Sequence, residues 1–247
     1  MEKQESENKE VSYNKQYKHD IVDISKYNIS KVNNNEDISL MNEITYKAIV
    51  IGDIGVGKES IIQRLINDSG AFNENYKATI GFDIFKYKCK VNDLIINLNI
   101  WDTCGLTDFS SCTPNTFKDT TLAIVVYSID NKESFEHLEN WVNLLKENAR
   151  PDKLVFIVGN NNDLEDKRQV KEEEGKAFME ERDFNYFIET SAKDNKFIKE
   201  LFQQAFAQLY EYYYKRKEDS KEDNRDDFIK RISIKKEDHK KRKKKKC

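Results

Sequence analysis

The residues best equipped for chemistry form one run, Gly52-Asp53-Ile54-Gly55-Val56-Gly57-Lys58. Its three glycines let backbone N–H groups turn inward around an anion, in conformations that a Cβ forbids. A helix opening at Lys58 aims the positive end of its dipole at the same point, and the Lys58 ammonium reaches the outer phosphates of a polyphosphate. The run fits the phosphate-binding pattern, whose next residue is Ser or Thr and places a hydroxyl on Mg2+. Here that residue is Glu59, and Ser60 comes one place late. One residue rotates a helix by about 100°, so Ser60 does not stand in for it. Glu59 either ligates Mg2+ directly, since carboxylates suit that ion, or repels the neighbouring phosphate. We expect a weakened or altered Mg2+ dependence.

Such a loop needs a strand before it and a helix after it. Residues 45–51 (TYKAIVI) are a short apolar run of the kind buried in parallel sheets, and 60–66 (SIIQRLI) read as helix. Residues 82–90 and 94–101 read as strands joined at Asn92-Asp93, a hairpin signal. Further strands are expected at 122–127, 154–158 and 186–188, with amphipathic helices at 132–148, 170–182 and 195–216. Strands alternating with helices of this length predict an α/β fold with helices on both faces of the sheet.

Composition sets the frame. Of 247 residues, 38% are hydrophobic and 35% charged, enough apolar material for one core of about 170 residues with polar ends left over. The net charge of −3 hides an uneven distribution, because Lys240 to Lys246 are all basic. The four cysteines, Cys89, Cys104, Cys112 and Cys247, form no CxxC pair, which argues against a zinc site or a disulfide framework and fits a reducing compartment. No apolar run approaches the roughly 20 residues that span a bilayer, and the charged N-terminus is not a signal peptide. Residues 1–44 show no sustained period and are expected to be a disordered or loosely attached extension, with 21–29 the stretch able to dock. The expected organisation is this extension, a nucleotide-binding domain over 45–216 and a polybasic tail over 217–247.

Four more segments follow the phosphate loop in order. They are Tyr76-Lys77-Ala78-Thr79-Ile80-Gly81-Phe82-Asp83, Trp101-Asp102-Thr103-Cys104-Gly105, Asn160-Asn161-Asn162-Asp163 and Glu189-Thr190-Ser191-Ala192-Lys193. Six of the eight glycines fall in or beside these five segments, the pattern of glycine used for close backbone approach to a ligand. In order and spacing the set resembles the Ras superfamily of small GTPases over residues 45–215. The resemblance implies a P-loop NTPase fold, three α/β/α layers around a six-stranded, mostly parallel sheet with one antiparallel edge strand. It implies GTP/GDP and Mg2+ as ligands, cradled by Asp53 to Ser60. Tyr76 and Thr79 belong to the first switch, where Thr79 would ligate Mg2+ and sense the γ-phosphate. In the second switch Asp102 would be an outer-shell metal partner, and Gly105 would donate its N–H to the γ-phosphate. Asn160, Asn161 and Asp163 form the base-specificity segment, with Asp163 accepting from the guanine N1 and N2 donors. Ser191, Ala192 and Lys193 support the base, and Phe72 sits where the family places an aromatic edge. Thr79-Ile80-Gly81 and the tryptophan before Asp102-Thr103 look Rab-like within the superfamily. Exchange factors, GTPase-activating proteins and effectors reading the switches are the implied partners, with a monomer and no nucleic acid expected.

Three positions around the metal and third phosphate depart from the family pattern. Leu106 follows Gly105 where a glutamine orients the attacking water, and leucine neither donates to nor accepts from a water. Ile54 brings bulk beside the γ-phosphate, and Glu59 replaces the hydroxyl. Elsewhere Asn161 lacks the aliphatic stem of the usual lysine. Intact nucleotide binding with slow GTP hydrolysis is expected. The rivals are a pseudo-GTPase serving as a constitutive protein-binding module and an ATP-using P-loop enzyme. Asp163 speaks against the second, since its carboxylate suits guanine donors and not the adenine N1 acceptor.

From Lys230 to Lys246 there are eleven Lys/Arg and two acids, ahead of a terminal Cys247. Such a segment is drawn to an anionic cytoplasmic leaflet by roughly 1 kcal/mol per basic residue. Rab resemblance implies lipidation, here at Cys247, although a final cysteine makes neither a CaaX box nor a cysteine pair. The expected role is a switch of vesicle and membrane transport on the cytoplasmic face of an endomembrane.

Overall fold

The computed structural model describes residues 22–32, 38–67, 82–104 and 114–220. In chain order the elements are β1 (Ile29–Lys31), β2 (Asn42–Ile51), α1 (Lys58–Ile66), β3 (Phe82–Val91), β4 (Leu94–Thr103), α2 (Pro114–Phe117) and β5 (Leu122–Ser128). There follow α3 (Lys132–Glu136), α4 (Leu138–Asn148), β6 (Leu154–Asn160), α5 (Glu172–Glu181) and β7 (Tyr186–Glu189). Short 3-10 turns lie at Ile24–Lys26 and Asn162–Lys167. The chain forms two compact units, Met1–Ala207 and Gln208–Cys247. Helical residues 198–207 close the first, and helical residues 208–220 are the described part of the second. Within that second unit Arg216 donates to Tyr212 Oη at 2.9 Å, an i,i+4 pair on one helix face.

One sheet orders the strands β1-β3-β4-β2-β5-β6-β7. Strands β4, β2, β5, β6 and β7 are parallel neighbours, whereas β3 runs antiparallel to β4 and β1 antiparallel to β3. Every residue of β5 and β6 is buried, as the uninterrupted apolar runs require when both faces of a parallel strand are covered. On one face Ile49, Ile51, Val125, Tyr127 and Ile157 pack with Trp141, Leu145 and Phe178 of the helices. Alternation puts Ala48, Val50, Ile124 and Val126 on the opposite face.

The sheet has seven strands where six were expected, a small correction with a local cause. β1 contributes three residues, Ile29, Ser30 and Lys31, paired with Val91, Lys90 and Cys89. Asn28 N–H donates to Asn92 Oδ1 at 2.9 Å, Asn92 N–H returns a bond to Asn28 O, and Lys31 Nζ reaches Ile66 O at 3.0 Å. Polar side chains and a hairpin turn hold this strand, so no apolar period announces it. The helix expected at 132–148 is two helices meeting at His137.

Candidate functional site

β2 and α1 position the phosphate loop between them. Gly52 and Gly57 have φ of 140° and 92°, and both touch neighbouring strands. A Cβ on Gly52 would lie 2.1 Å from Val126 O, and one on Gly57 would lie 2.2 Å from Asn160 Nδ2. Only glycine therefore lets the loop close against the ends of β5 and β6. Lys58, 7% exposed, turns back across the loop and donates to Gly52 O at 2.8 Å and Asp53 O at 2.7 Å. Its charge is thus held inside the curl of backbone, at the start of a nine-residue helix with Glu59 in its first turn. Val56 is buried, Gly55 has open space around it, Glu59 and Ser60 are half-buried, and Ile54 is 49% exposed on the loop.

Asp53 is buried, and α4 meets its carboxylate. Trp141 Nε1 donates to Oδ1 at 2.9 Å, and His137 Nδ1 lies 2.6 Å from Oδ2. The indole and imidazole follow one another at i,i+4 on the helix, so one face presents both.

The base-side residues come together at the ends of β6 and β7. Asn160 is fully buried and ties three segments: its Nδ2 donates to Val56 O at 2.9 Å, and its Oδ1 accepts from Thr190 Oγ1 at 3.1 Å and Ala192 N–H at 3.2 Å. Asp163 Oδ1 accepts from Ser191 Oγ at 2.6 Å, and Ser191 Oγ accepts from Asp194 N–H at 3.0 Å. Asn161 sits at φ 66°, a left-handed position that asparagine tolerates, and donates through Nδ2 to Ser128 Oγ at 2.6 Å. It serves as a loop tie to β5.

Several interactions that hold this site were not foreseen from the sequence. Arg64 of α1 donates to the carbonyls of Ala192 and Lys193, both at 2.6 Å, linking the phosphate helix to the base loop. Buried Glu189 accepts two bonds from Arg168, at 2.6 and 2.7 Å, and one from Asn162 Nδ2 at 3.0 Å, which fixes the turn carrying Asp163. The bonds to Glu189 and then Glu165 push the Arg168 guanidinium above its ordinary range, and Arg168 holds Glu165 below the usual carboxylate value. At the other end of the β2–β5 pairing, away from the loop, Lys47 donates to Thr116 O at 2.8 Å and Lys118 O at 3.0 Å and lies 4.0 Å over the Trp101 ring, while burial lowers its pKa. Arg64, Arg168 and Lys47 belong to no motif, so sequence alone could not flag them. Phe72, Tyr76, Thr79, Gly105, Leu106 and Cys247 lie outside the described residues.

The geometry suits a polyphosphate: left-handed glycines, a buried lysine within the curl and a helix start. Mg2+ takes oxygen ligands, and the carboxylates of Glu59 and of Asp102, buried at the end of β4, are donors of that class. A parallel sheet with this loop at the end of β2 and a carboxylate-bearing turn after β6 defines a P-loop nucleotide-binding protein. Residues 47–211 match the family model described as Ras family, and the chain belongs to that family. It is a small GTPase, a GTP-binding switch of the class that binds GTP or GDP with Mg2+ and works through exchange factors, GTPase-activating proteins and effectors.

Proposed function

We propose that this Ras-family protein is a Rab-type switch of intracellular membrane traffic whose GTP hydrolysis is slow. The carrying observation is the set of residues around the third phosphate. Ile54 stands exposed on the loop, Glu59 occupies the first turn of α1 where a hydroxyl belongs, and Leu106 takes the place of the water-orienting glutamine. Groups that orient the attacking water are worth orders of magnitude in phosphoryl transfer. Glu59 would also weaken or alter Mg2+ dependence, because its carboxylate stands in the first turn of the helix that would face the phosphates. Thr79-Ile80-Gly81 and Trp101 support the Rab assignment. The basic residues from 230 to 246, with lipid on Cys247, would hold the protein on the cytoplasmic face of an endomembrane.

Single-turnover GTP hydrolysis by the purified full chain tests the reading. A slow wild type accelerated at least about ten-fold by Leu106→Gln supports it. A fast wild type, or no gain from Leu106→Gln, refutes slow hydrolysis by this route. GTP that stays bound without turnover in every variant would instead identify a constitutive binding module.

A further inference from the structure

Asp53 poses a question that the phosphate loop leaves open. A carboxylate within a loop that holds phosphates repels them unless it is turned aside and its charge balanced. Here it is 6% exposed, with Trp141 Nε1 at 2.9 Å on one oxygen and His137 Nδ1 at 2.6 Å on the other. His137 stands where α3 passes into α4, its side chain 27% exposed, with Glu133 Oε1 4.0 Å from its outer nitrogen. Asp53 and Glu133 are the carboxylates facing the imidazole among the described residues. The Asp53 carbonyl is also one of the two that Lys58 grips, so one residue is held by both its backbone and its side chain.

We infer that His137 is a positioning residue for nucleotide binding: by holding the Asp53 carboxylate against α4, it fixes the first turn of the phosphate loop and slows nucleotide release. The inference rests on guanine nucleotide occupying that loop. The competing role is helix packing alone, since the His137 N–H also closes α3 on Glu133 O at 2.9 Å. That role depends on the backbone and on ring volume, whereas positioning depends on the side-chain bond to Asp53.

The full chain is loaded with a fluorescent GDP analogue and chased with excess GDP. His137→Phe keeps the ring and removes the bond, so release should speed up about ten-fold, the size expected when a hydrogen bond to a buried charged group is lost. His137→Asn, whose amide nitrogen takes the place of Nδ1, should restore release to within about three-fold of wild type. Asp53→Ala should also speed release, and adding His137→Phe to it should change nothing further, because the imidazole then has no carboxylate to hold. Melting temperatures run alongside: loss of packing lowers them together for Phe and Asn, whereas positioning separates the two variants in release rate. Unchanged release in His137→Phe, equal acceleration in His137→Asn, or additive effects with Asp53→Ala would overturn the inference. Should His137→Phe fail to fold, the Asn and Ala arms decide it. A wild-type chain that takes up no GDP gives no signal to chase and removes the nucleotide reading beneath it.

Discussion

Replacing Asn160 by alanine should damage stability and nucleotide binding by separable amounts. The side chain is fully buried and bonds to Val56 O, Thr190 Oγ1 and Ala192 N–H at 2.9, 3.1 and 3.2 Å. Its loss leaves a buried carbonyl, amide and hydroxyl to find other partners, each at a cost of roughly 1–3 kcal/mol. Neighbouring losses are not additive, so we expect about 3 kcal/mol in the nucleotide-free protein. The same three bonds fasten the phosphate loop to the base loop. Freeing both should raise the GDP Kd about 100-fold, and ligand linkage turns that into a second, measurable loss. At GDP about 100 times the wild-type Kd, binding adds about 2.7 kcal/mol to wild type and about 0.4 kcal/mol to the variant at the same concentration. Urea unfolding should therefore show a gap of about 3 kcal/mol without GDP that widens beyond about 5 kcal/mol with it. A gap that GDP leaves unchanged would refute the coupling of the two loops through Asn160. A gap under about 1 kcal/mol without GDP would refute the hydrogen-bond reasoning itself.

Two further outcomes are expected. Tyr127→Phe should raise stability by about 1 kcal/mol in the same urea assay, because the buried Oη has no hydrogen-bond partner among the described residues and lies over Gly159 and Gly175, while the ring keeps its edge contact with Phe135; a loss of stability would contradict this. Burial pushes the Cys89 thiol from 9.0 up to about 12, so iodoacetamide at pH 8.5 should spare it in the native protein and label it in urea. The folded state keeps this proton longer than the unfolded chain does, so its contribution to stability is present below pH 9 and lost as pH rises toward about 12; native labelling as fast as in urea would count against the burial.

Most of the sheet was legible because its central strands are apolar runs that only a two-sided burial explains. The hairpin at Asn92-Asp93 was legible for the same kind of reason, since Asn92 takes the left-handed turn position at φ 51°. β1 was not, because Ile29-Ser30-Lys31 has too few residues for a period and owes its place to Asn92, Cys89 and Ile66 of other elements. The phosphate and base segments were readable as motifs, but the bonds that position them were not. Arg64, Arg168 and His137 act across 128, 21 and 84 residues of chain, distances over which no local pattern survives. Asn161 shows the limit from the other side. The sequence says what the residue lacks, a long aliphatic stem, and only the fold shows that its amide reaches Ser128 instead.

The bonds that hold the phosphate loop divide it into two kinds of residue. Gly52 lies against the β5 backbone, Val56 hangs from Asn160, Asp53 from His137 and Trp141, and Lys58 closes the curl on its own carbonyls. Each of these contacts is made within the protein, so the cradle can stand before an anion enters, and preorganisation of this kind lowers the cost of binding. Ile54 makes no such contribution: its side chain is half exposed on the loop, and Glu59 is half-buried in the first turn of α1. On the proposed function, substitution at Ile54 or Glu59 is expected to change GTP hydrolysis more than GDP affinity. A change at Gly57 or Asn160, by contrast, is expected to alter GDP affinity first, because both fasten the loop to the end of β6. That separation would let the chain keep guanine nucleotide binding while hydrolysis slows, as the proposed function requires.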